Sequence, residues 1–318
     1  MAESIVILEG KATNPGDLSW KAFEEFGDVT VYENTTQESL VKRAKYATII
    51  ITNKLKIGRK ELDQLPSLQL ICQLATGYDN IDVKAAKERE IPVCNAVGYG
   101  TNAVAQHAIA LLLAATNRVE AHNQFVQSSG WSKSIWSHSL TPLVELAGLT
   151  LGIYGYGKIG QQVGVIAKSL GMSVIATTRS PEKYVSSDVG FVSLKDLFKQ
   201  SDVISLHAPL STSNNEIVNH SLLNLMKPSA ILINTGRGGL INELELGEHL
   251  LNHPNQTAAI DVLSAEPPSM VHPLIGLDNC IITPHNAWAA KAARARLISI
   301  VVGNIAAFLS GDAVNVVN

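Results

Sequence analysis

Three side chains of this 318-residue chain stand where an apolar run gives way to a polar turn. Ala230-Ile-Leu-Ile-Asn234 runs into Thr235-Gly-Arg237-Gly-Gly239. Ala258-Ala-Ile-Asp261 leads to Ser264-Ala-Glu266-Pro-Pro, and Cys280-Ile-Ile-Thr283 leads to Pro284-His285-Asn-Ala287. The residue types suit proton and anion chemistry. An imidazole changes charge near neutrality and can act as a general acid. A carboxylate beside it orients the ring and favours the imidazolium. A guanidinium can bind a carboxylate and polarise a carbonyl. Such a trio fits a keto acid receiving a hydride, where negative charge develops on the carbonyl oxygen. Taken singly, each residue reads as plainly structural: one of nine histidines, a turn glutamate, a surface cation. The pattern carries more weight. In a doubly wound sheet ligands bind outside the carboxyl ends of the strands, so residues 29 and 19 positions apart can converge there.

A second motif is Gly155-Tyr-Gly157-Lys-Ile-Gly160. A glycine-rich hexamer is weak alone, but its context is specific. Leu149-Thr-Leu-Gly-Ile-Tyr154 precedes it as a buried-strand pattern. Val163, Ile166, Ala167 and Leu170 follow at helical spacing, Gly171 is placed to cap that helix, and Met172 to Thr177 reads as the next strand. In such a βαβ unit the first glycine makes a tight turn, the second lets a pyrophosphate approach, and the third lets helix pack on strand. The helix N-terminus offers free N–H groups to the phosphates. The unit therefore predicts a bound dinucleotide. The second strand ends Thr177-Thr178-Arg179-Ser180 with no carboxylate to hold ribose hydroxyls, and Arg179 can meet a 2′-phosphate. This leans towards NADP over NAD, although an exposed Arg179 is equally an ordinary surface charge.

These motifs need scaffolds. In the first ~98 residues, β-branched runs (Ile5 to Leu8, Asp28 to Tyr32, Ala47 to Ile51, Leu68 to Cys72, Ile91 to Cys94) alternate with helical patterns at Leu18 to Phe26, Gln37 to Tyr46, Arg59 to Leu65 and Asp82 to Arg89. That alternation predicts a parallel sheet covered on both faces. Thr101 to Arg118 reads as a long helix, with Val104, Ala108, Leu111, Leu112 and Ala115 on one stripe. A polar stretch with Trp131 and Trp136 follows. A second alternation then places strands at 149–154, 172–177, 202–207, 230–234, 257–261 and 279–283, before a helical Trp288 to Leu309.

Length and composition bound the rest. The chain is too long for one average domain and suits two. Apolar residues make up 46% and charged residues only 17%, which argues against disorder. A net charge of −3 favours no nucleic acid partner. The longest unbroken apolar run, Ala108 to Ala115, is far short of the ~18–20 residues that cross a bilayer. The start Met1-Ala-Glu-Ser lacks a basic region before an apolar stretch, so no leader is expected. Cys72, Cys94 and Cys280 are odd in number and far apart, which predicts no disulfide framework and no metal site, and fits a cytoplasmic protein.

With these motifs in order, the chain resembles the D-isomer-specific 2-hydroxyacid dehydrogenase family over nearly its whole length. The matching pieces are Ala75-Thr-Gly-Tyr-Asp-Asn-Ile-Asp82, Tyr154 to Gly160, His207-Ala-Pro-Leu210, Ile233 to Gly239, Asp261-Val-Leu-Ser-Ala-Glu-Pro267 and Thr283 to Ala287. The resemblance implies that Arg237, Glu266 and His285 are the catalytic trio. It implies that the Ala75, Thr76, Gly77 loop binds the substrate carboxylate together with Arg237. Along the cofactor it places Thr76, Val104, Gly155, Gly157, Lys158, Ile159, Gly160, Thr178, Arg179, Ser180, His207, Ala208, Pro209, Thr235, Gly236, Asp261, His285 and Ala287, with Asp261 on the nicotinamide carboxamide. The implied fold is α/β, with two doubly wound parallel-sheet domains. A Rossmann-type NAD(P)-binding domain (99–287) is inserted into a flavodoxin-like substrate domain (1–98 plus 288–318), with the active site in the cleft. It further implies a homodimer, with the region after the long helix, including Trp131 and Trp136, at the partner.

Within the family, Gly98 to His107 and Leu140 to Gly148 look most like glycerate dehydrogenases, also called hydroxypyruvate reductases. That implies reduction of hydroxypyruvate or glyoxylate to the D-2-hydroxy acid. Glu266 speaks against a formate dehydrogenase, which has glutamine there. Pyruvate, a branched keto acid or phosphite as substrate, and a non-catalytic dinucleotide-sensing protein of the same fold, stay open as alternatives.

Overall fold

A computed structural model describes residues 2–184 and 188–318. Met1, with which the reading of the N-terminus begins, lies outside the described residues. The chain divides into two compact units, Met1–Gly100 with Trp288–Asn318, and Thr101–Ala287.

The first unit carries strands β1 (Glu3–Ile7), β2 (Gly27–Val31), β3 (Ile49–Thr52), β4 (Leu70–Gln73) and β5 (Val93–Cys94), in the spatial order β2-β1-β3-β4-β5. All four pairings are parallel. This is the flavodoxin-like order. The central strands β3 and β4 are buried at every residue, whereas the edge strand β2 is not. Burial on both faces is why the central strands read as continuous apolar runs. The C-terminal tail returns to this sheet. Val316 bridges Cys94 antiparallel, and Val317 N donates to Val93 O at 2.9 Å.

The helix Lys291–Leu309 belongs to the same unit and packs on β4. It is long and apolar enough to cross a membrane by length and composition. Its buried face nevertheless carries two polar residues, Arg294 and Asn304. Arg294 donates to both carboxylate oxygens of Asp17 (2.7 and 2.8 Å) and to Thr13 O (3.0 Å). Such satisfied internal polar groups fit a helix packed within protein.

The second unit holds β6 (Thr150–Tyr154), β7 (Ser173–Thr177), β8 (Gly190–Phe191), β9 (Val203–Leu206), β10 (Ile231–Asn234), β11 (Thr257–Ile260) and β12 (Cys280–Ile282). Their order is β12-β11-β10-β9-β6-β7-β8, again parallel throughout. This is the Rossmann order extended by one strand, and the chain changes direction across the sheet between β6 and β9. The helix Thr101–Asn117 packs on the helix Lys158–Ser169, and the stripe Val104, Ala108, Leu111, Leu112 and Ala115 is buried.

Local differences from the expected elements have physical causes. The helical pattern at Leu18 to Phe26 yields only a single 3-10 turn, Lys21–Phe23. Asn14 Oδ1 accepts from the N–H groups of Gly16 (3.1 Å) and Leu18 (3.0 Å), so side-chain bonding holds this stretch as a loop. A short helix, Gly10–Thr13, follows β1 instead. The stretch after the long helix starts with a second helix, Val119–Gln127, set off by Arg118 in the left-handed region (φ +46°). The two-residue strand β8 is too short to leave a periodic pattern.

Candidate active site

Because every strand of the second unit runs the same way, every loop leaving a strand's C-terminal end emerges at one edge. The glycine loop follows β6, Thr178 follows β7, His207 follows β9, Arg237 follows β10, Asp261 and Glu266 follow β11, and His285 follows β12. The crevice at the β6/β9 switch is where such sheets take ligands.

The glycine loop has three different local demands. Gly155 sits at φ +97°, and a Cβ there would lie 2.4 Å from Ala208 N. Its N–H donates to Thr177 O at 2.9 Å, tying the loop to the end of β7. A Cβ at Gly160 would lie 2.3 Å from Gly155 O, so this glycine is needed for the helix to pack on its strand. Gly157 differs: a Cβ there would meet nothing within 4 Å. No protein atom crowds this glycine, and it stands at the start of the helix Lys158–Ser169, where a phosphate can approach free N–H groups. Lys158 and Ile159 open that helix, Lys158 exposed and Ile159 half-buried. Thr178, Arg179 and Ser180 stand directly after β7, with Arg179 exposed.

Two polar atoms at the same edge have no partner among the described residues: His207 Nδ1 and Thr235 Oγ1, both buried. Burial pushes the His207 imidazole down to about 4, so the ring is neutral at physiological pH. Its Nε2 lies 2.8 Å from Ser205 Oγ. Gly155 packs on this segment, and Ala208 beside it is buried while Pro209 is exposed. An open cradle beside buried, unpaired polar atoms fits a dinucleotide.

The catalytic candidates are joined by contacts. His285 Nδ1 lies 2.6 Å from Glu266 Oε2, and both side chains are 27% exposed. A carboxylate accepts only, so Nδ1 carries the hydrogen, and Nε2 is the ring's other proton-exchanging nitrogen. The other carboxylate oxygen, Glu266 Oε1, accepts from Leu263 N at 3.0 Å. Gly238, next to Arg237, lies so close to Leu263 that a Cβ would fall 2.0 Å from its carbonyl carbon. The Arg237 turn therefore rests on the backbone that bonds Glu266. Arg237 donates to Gly236 O at 2.9 Å.

Supporting residues that sequence reasoning missed set these positions. Asn234, fully buried, donates to Arg237 O (2.9 Å) and accepts from Gly236 N (3.0 Å), which holds both sides of the arginine turn. Glu243 accepts from Ser264 N (2.7 Å) and lies 3.2 Å from His272 Nε2, so it pins both flanks of the Glu266 loop. An asparagine closing a buried strand is a readable signal. Glu243 sits 23 residues before Glu266 and leaves none.

Asp261 was expected only at the cofactor. The structure also makes it the holder of the His285 loop. Asp261 O accepts from His285 N (2.8 Å), Oδ1 from Asn286 N (3.0 Å), and Oδ2 from Ala287 N (3.0 Å). Thr283 Oγ1 donates to Oδ1 at 2.6 Å, and His107 Nε2 stands 3.0 Å from Thr283 Oγ1. Burial pushes the Asp261 carboxyl up, but the hydrogen bonds from His107, Thr283, Ala287 N and Asn286 N outweigh it and hold it below its ordinary value. One ionised carboxylate thus keeps His285 at φ +50°, a left-handed backbone that histidine rarely adopts. Val104 and Ala287 are both buried.

Ala75, Thr76 and Gly77 stand in the first unit, in the loop after β4, with Thr76 exposed.

Two outcomes test this geometry. Gly157→Ala should fold with an unchanged thermal midpoint and lose dinucleotide affinity by about tenfold or more, because only the ligand needs that space. Gly160→Ala should instead lower the midpoint, and equal behaviour of the two variants would contradict the cradle. Thr283→Val should speed hydrogen exchange at the Asn286 and Ala287 amides by about tenfold, the loss of a buried hydrogen bond, and Thr283→Ser should restore slow exchange.

Comparison with known proteins gives the family. Residues 109–287 match the family described as D-isomer specific 2-hydroxyacid dehydrogenase, NAD binding domain. The chain is 43% identical to a hydroxypyruvate reductase of Blautia hydrogenotrophica, covering 99% of each chain. It is 37% identical to a glycerate dehydrogenase of Methylorubrum extorquens, over 100% of this chain and 99% of the other. A crystal structure of an NADPH-dependent glyoxylate/hydroxypyruvate reductase from Sinorhizobium meliloti, bound to NADP and malonate, superposes with a TM-score of 0.86 at 26% identity, over 100% of this chain and 97% of the other. With a glycine loop suited to a dinucleotide, an imidazole–carboxylate pair at the same edge of the sheet and full-length relatives of this kind, the chain is an NAD(P)-dependent oxidoreductase belonging to the D-isomer-specific 2-hydroxyacid dehydrogenase family.

Proposed function

We propose that the protein reduces a small 2-keto acid, hydroxypyruvate to the D-2-hydroxy acid or glyoxylate to its achiral 2-hydroxy acid, with His285 as proton donor. The observation that carries this is the 2.6 Å contact between His285 Nδ1 and Glu266. The discontinuous unit serves as the substrate domain and the 101–287 unit as the NAD(P)-binding domain. When bound, the reduced nicotinamide supplies a hydride to the carbonyl carbon. The chain's own residues do the rest. Glu266 accepts a hydrogen bond from Nδ1–H and stabilises the imidazolium, so that Nε2 holds a proton for the developing alkoxide. Arg237 pairs with the substrate carboxylate and polarises the carbonyl. The backbone N–H groups of Thr76 and Gly77 are donors suited to a substrate carboxylate. Asp261 Oδ2 accepts one hydrogen bond from Ala287 N, leaving capacity for a carboxamide N–H.

The substrate choice follows the names of the full-length relatives, a hydroxypyruvate reductase and a glycerate dehydrogenase. For the cofactor, the run Thr178-Arg179 with no carboxylate at the end of β7 supports acceptance of NADPH. Exposed apolar residues after the long helix support a homodimer through that segment: Val119, Ile135 and Leu143 are exposed, and Trp136 is 89% exposed. Three free thiols, two of them buried, suit the reducing cytoplasm.

His285→Ala should lower kcat by roughly 10²–10⁴-fold, the usual contribution of a general acid, while NAD(P)H binding followed by fluorescence stays within a few-fold. Turnover near wild type would refute the proton-donor role. Initial rates on a panel of hydroxypyruvate, glyoxylate, pyruvate and branched keto acids, each with NADPH and NADH, should show the highest kcat/KM for hydroxypyruvate or glyoxylate and useful turnover with NADPH. A strong preference for NADH would overturn the reading of Thr178-Arg179.

A further inference from the structure

We propose that Asn95, braced by Asn304 and Asn315, is a positioning residue that aims two backbone N–H groups at the substrate carboxylate, an inference that rests on the keto-acid reading above. A trans peptide holds its C=O and N–H on opposite sides of the chain. Ala75 O accepts from Ala96 N at 2.9 Å, and Thr76 O accepts from Asn95 Nδ2 at 2.7 Å. Both carbonyls of the loop are thereby turned towards residues 95 and 96. The N–H groups of the same two peptides belong to Thr76 and Gly77, and they must point the other way. Neither finds a partner among the described residues. Thr76 Oγ1 adds a third tie by donating to Ala96 O at 2.7 Å. The loop is thus a preformed pair of donors, with its acceptors already consumed on the far side. Two N–H groups aimed in one direction suit an anion.

Asn95 is itself fixed on every side. It is buried, and its own N–H donates to Asn315 O at 3.1 Å. Its carbonyl accepts from Asn304 Nδ2 at 3.0 Å, and Asn304 Oδ1 accepts from Asn315 Nδ2 at 2.7 Å. Asn304 is 1% exposed on the helix that packs on β4, and Asn315 lies in the tail that returns to β5. Burying the Asn95 and Asn304 amides is costly unless their polar groups are bonded, and here they hold the backbone and one another, with the exposed Asn315 closing the set. The last turns of the chain therefore reach the substrate loop through one relay, Asn304 and Asn315 to Asn95 to Thr76. Asn95 touches no substrate in this account. It acts through the loop.

The test is steady-state kinetics of the full-length enzyme with hydroxypyruvate and oxalate as a carboxylate inhibitor. Asn95→Ser keeps the backbone bonds but loses the reach to Thr76 O. It should raise KM for the keto acid and Ki for oxalate by about tenfold each, while kcat and the cofactor KM stay within about twofold. Asn304→Ser, one step further out, should raise both by a smaller factor, and it decides the matter if Asn95→Ser does not fold. A merely structural role would lower thermal stability and leave the ratio of keto-acid KM to cofactor KM unchanged, and that result overturns the inference. A wild-type enzyme that reduces no 2-keto acid overturns the functional reading instead. An active wild type whose variants keep their keto-acid KM overturns this inference alone.

Discussion

Parallel strand direction is the constraint on which the second unit depends. Seven strands run the same way, so chemistry written at the ends of β6, β7, β9, β10, β11 and β12 is delivered to one edge regardless of sequence separation. The helices that return the chain between strands cover both faces, and the strands in turn must be apolar throughout. The low share of charged residues, 17%, follows from two such sheets in one chain. At the edge where the strands end, each buried polar group must be either bonded or kept for a ligand.

Asp261 shows how tightly that edge is organised. A carboxylate that is 1% exposed is expensive unless donors surround it. Here the donors are the N–H groups of Asn286 and Ala287, the hydroxyl of Thr283 and the His107 ring. The same bonds that keep the charge tolerable also hold His285 in its left-handed backbone. Stability of the buried charge and the backbone conformation of His285 therefore rest on the same bonds. Glu243 does for the Glu266 loop what Asp261 does for the His285 loop, and Asn234 does it for Arg237. Each of the three candidate side chains is thus held through a neighbouring polar residue.

Much of the architecture was legible in the chain. The βαβ context of Gly155, Gly157 and Gly160, the strand-end placement of Arg237, Glu266 and His285, and the α/β alternation all follow from short-range pattern. The three glycines look alike as letters, yet only the folded loop separates Gly157, which leaves open space, from Gly155 and Gly160, which the protein itself requires. Short elements were less legible. A two-residue strand has no period to read, and the helical spacing at Leu18 to Phe26 lost to side-chain bonding by Asn14.

From residue order alone come the class of fold, the glycine loop and the candidate reactive side chains, because these depend on local periodicity and on residue type. The tertiary structure decided which residues support them. Asn95 and Asn304 are 209 positions apart, and His107 and Thr283 are 176 apart, so no window along the chain contains either pair. Hydrogen bonds are directional and short, and which donors meet which acceptors is settled only when strands take their order in the sheet and the chain ends return to it.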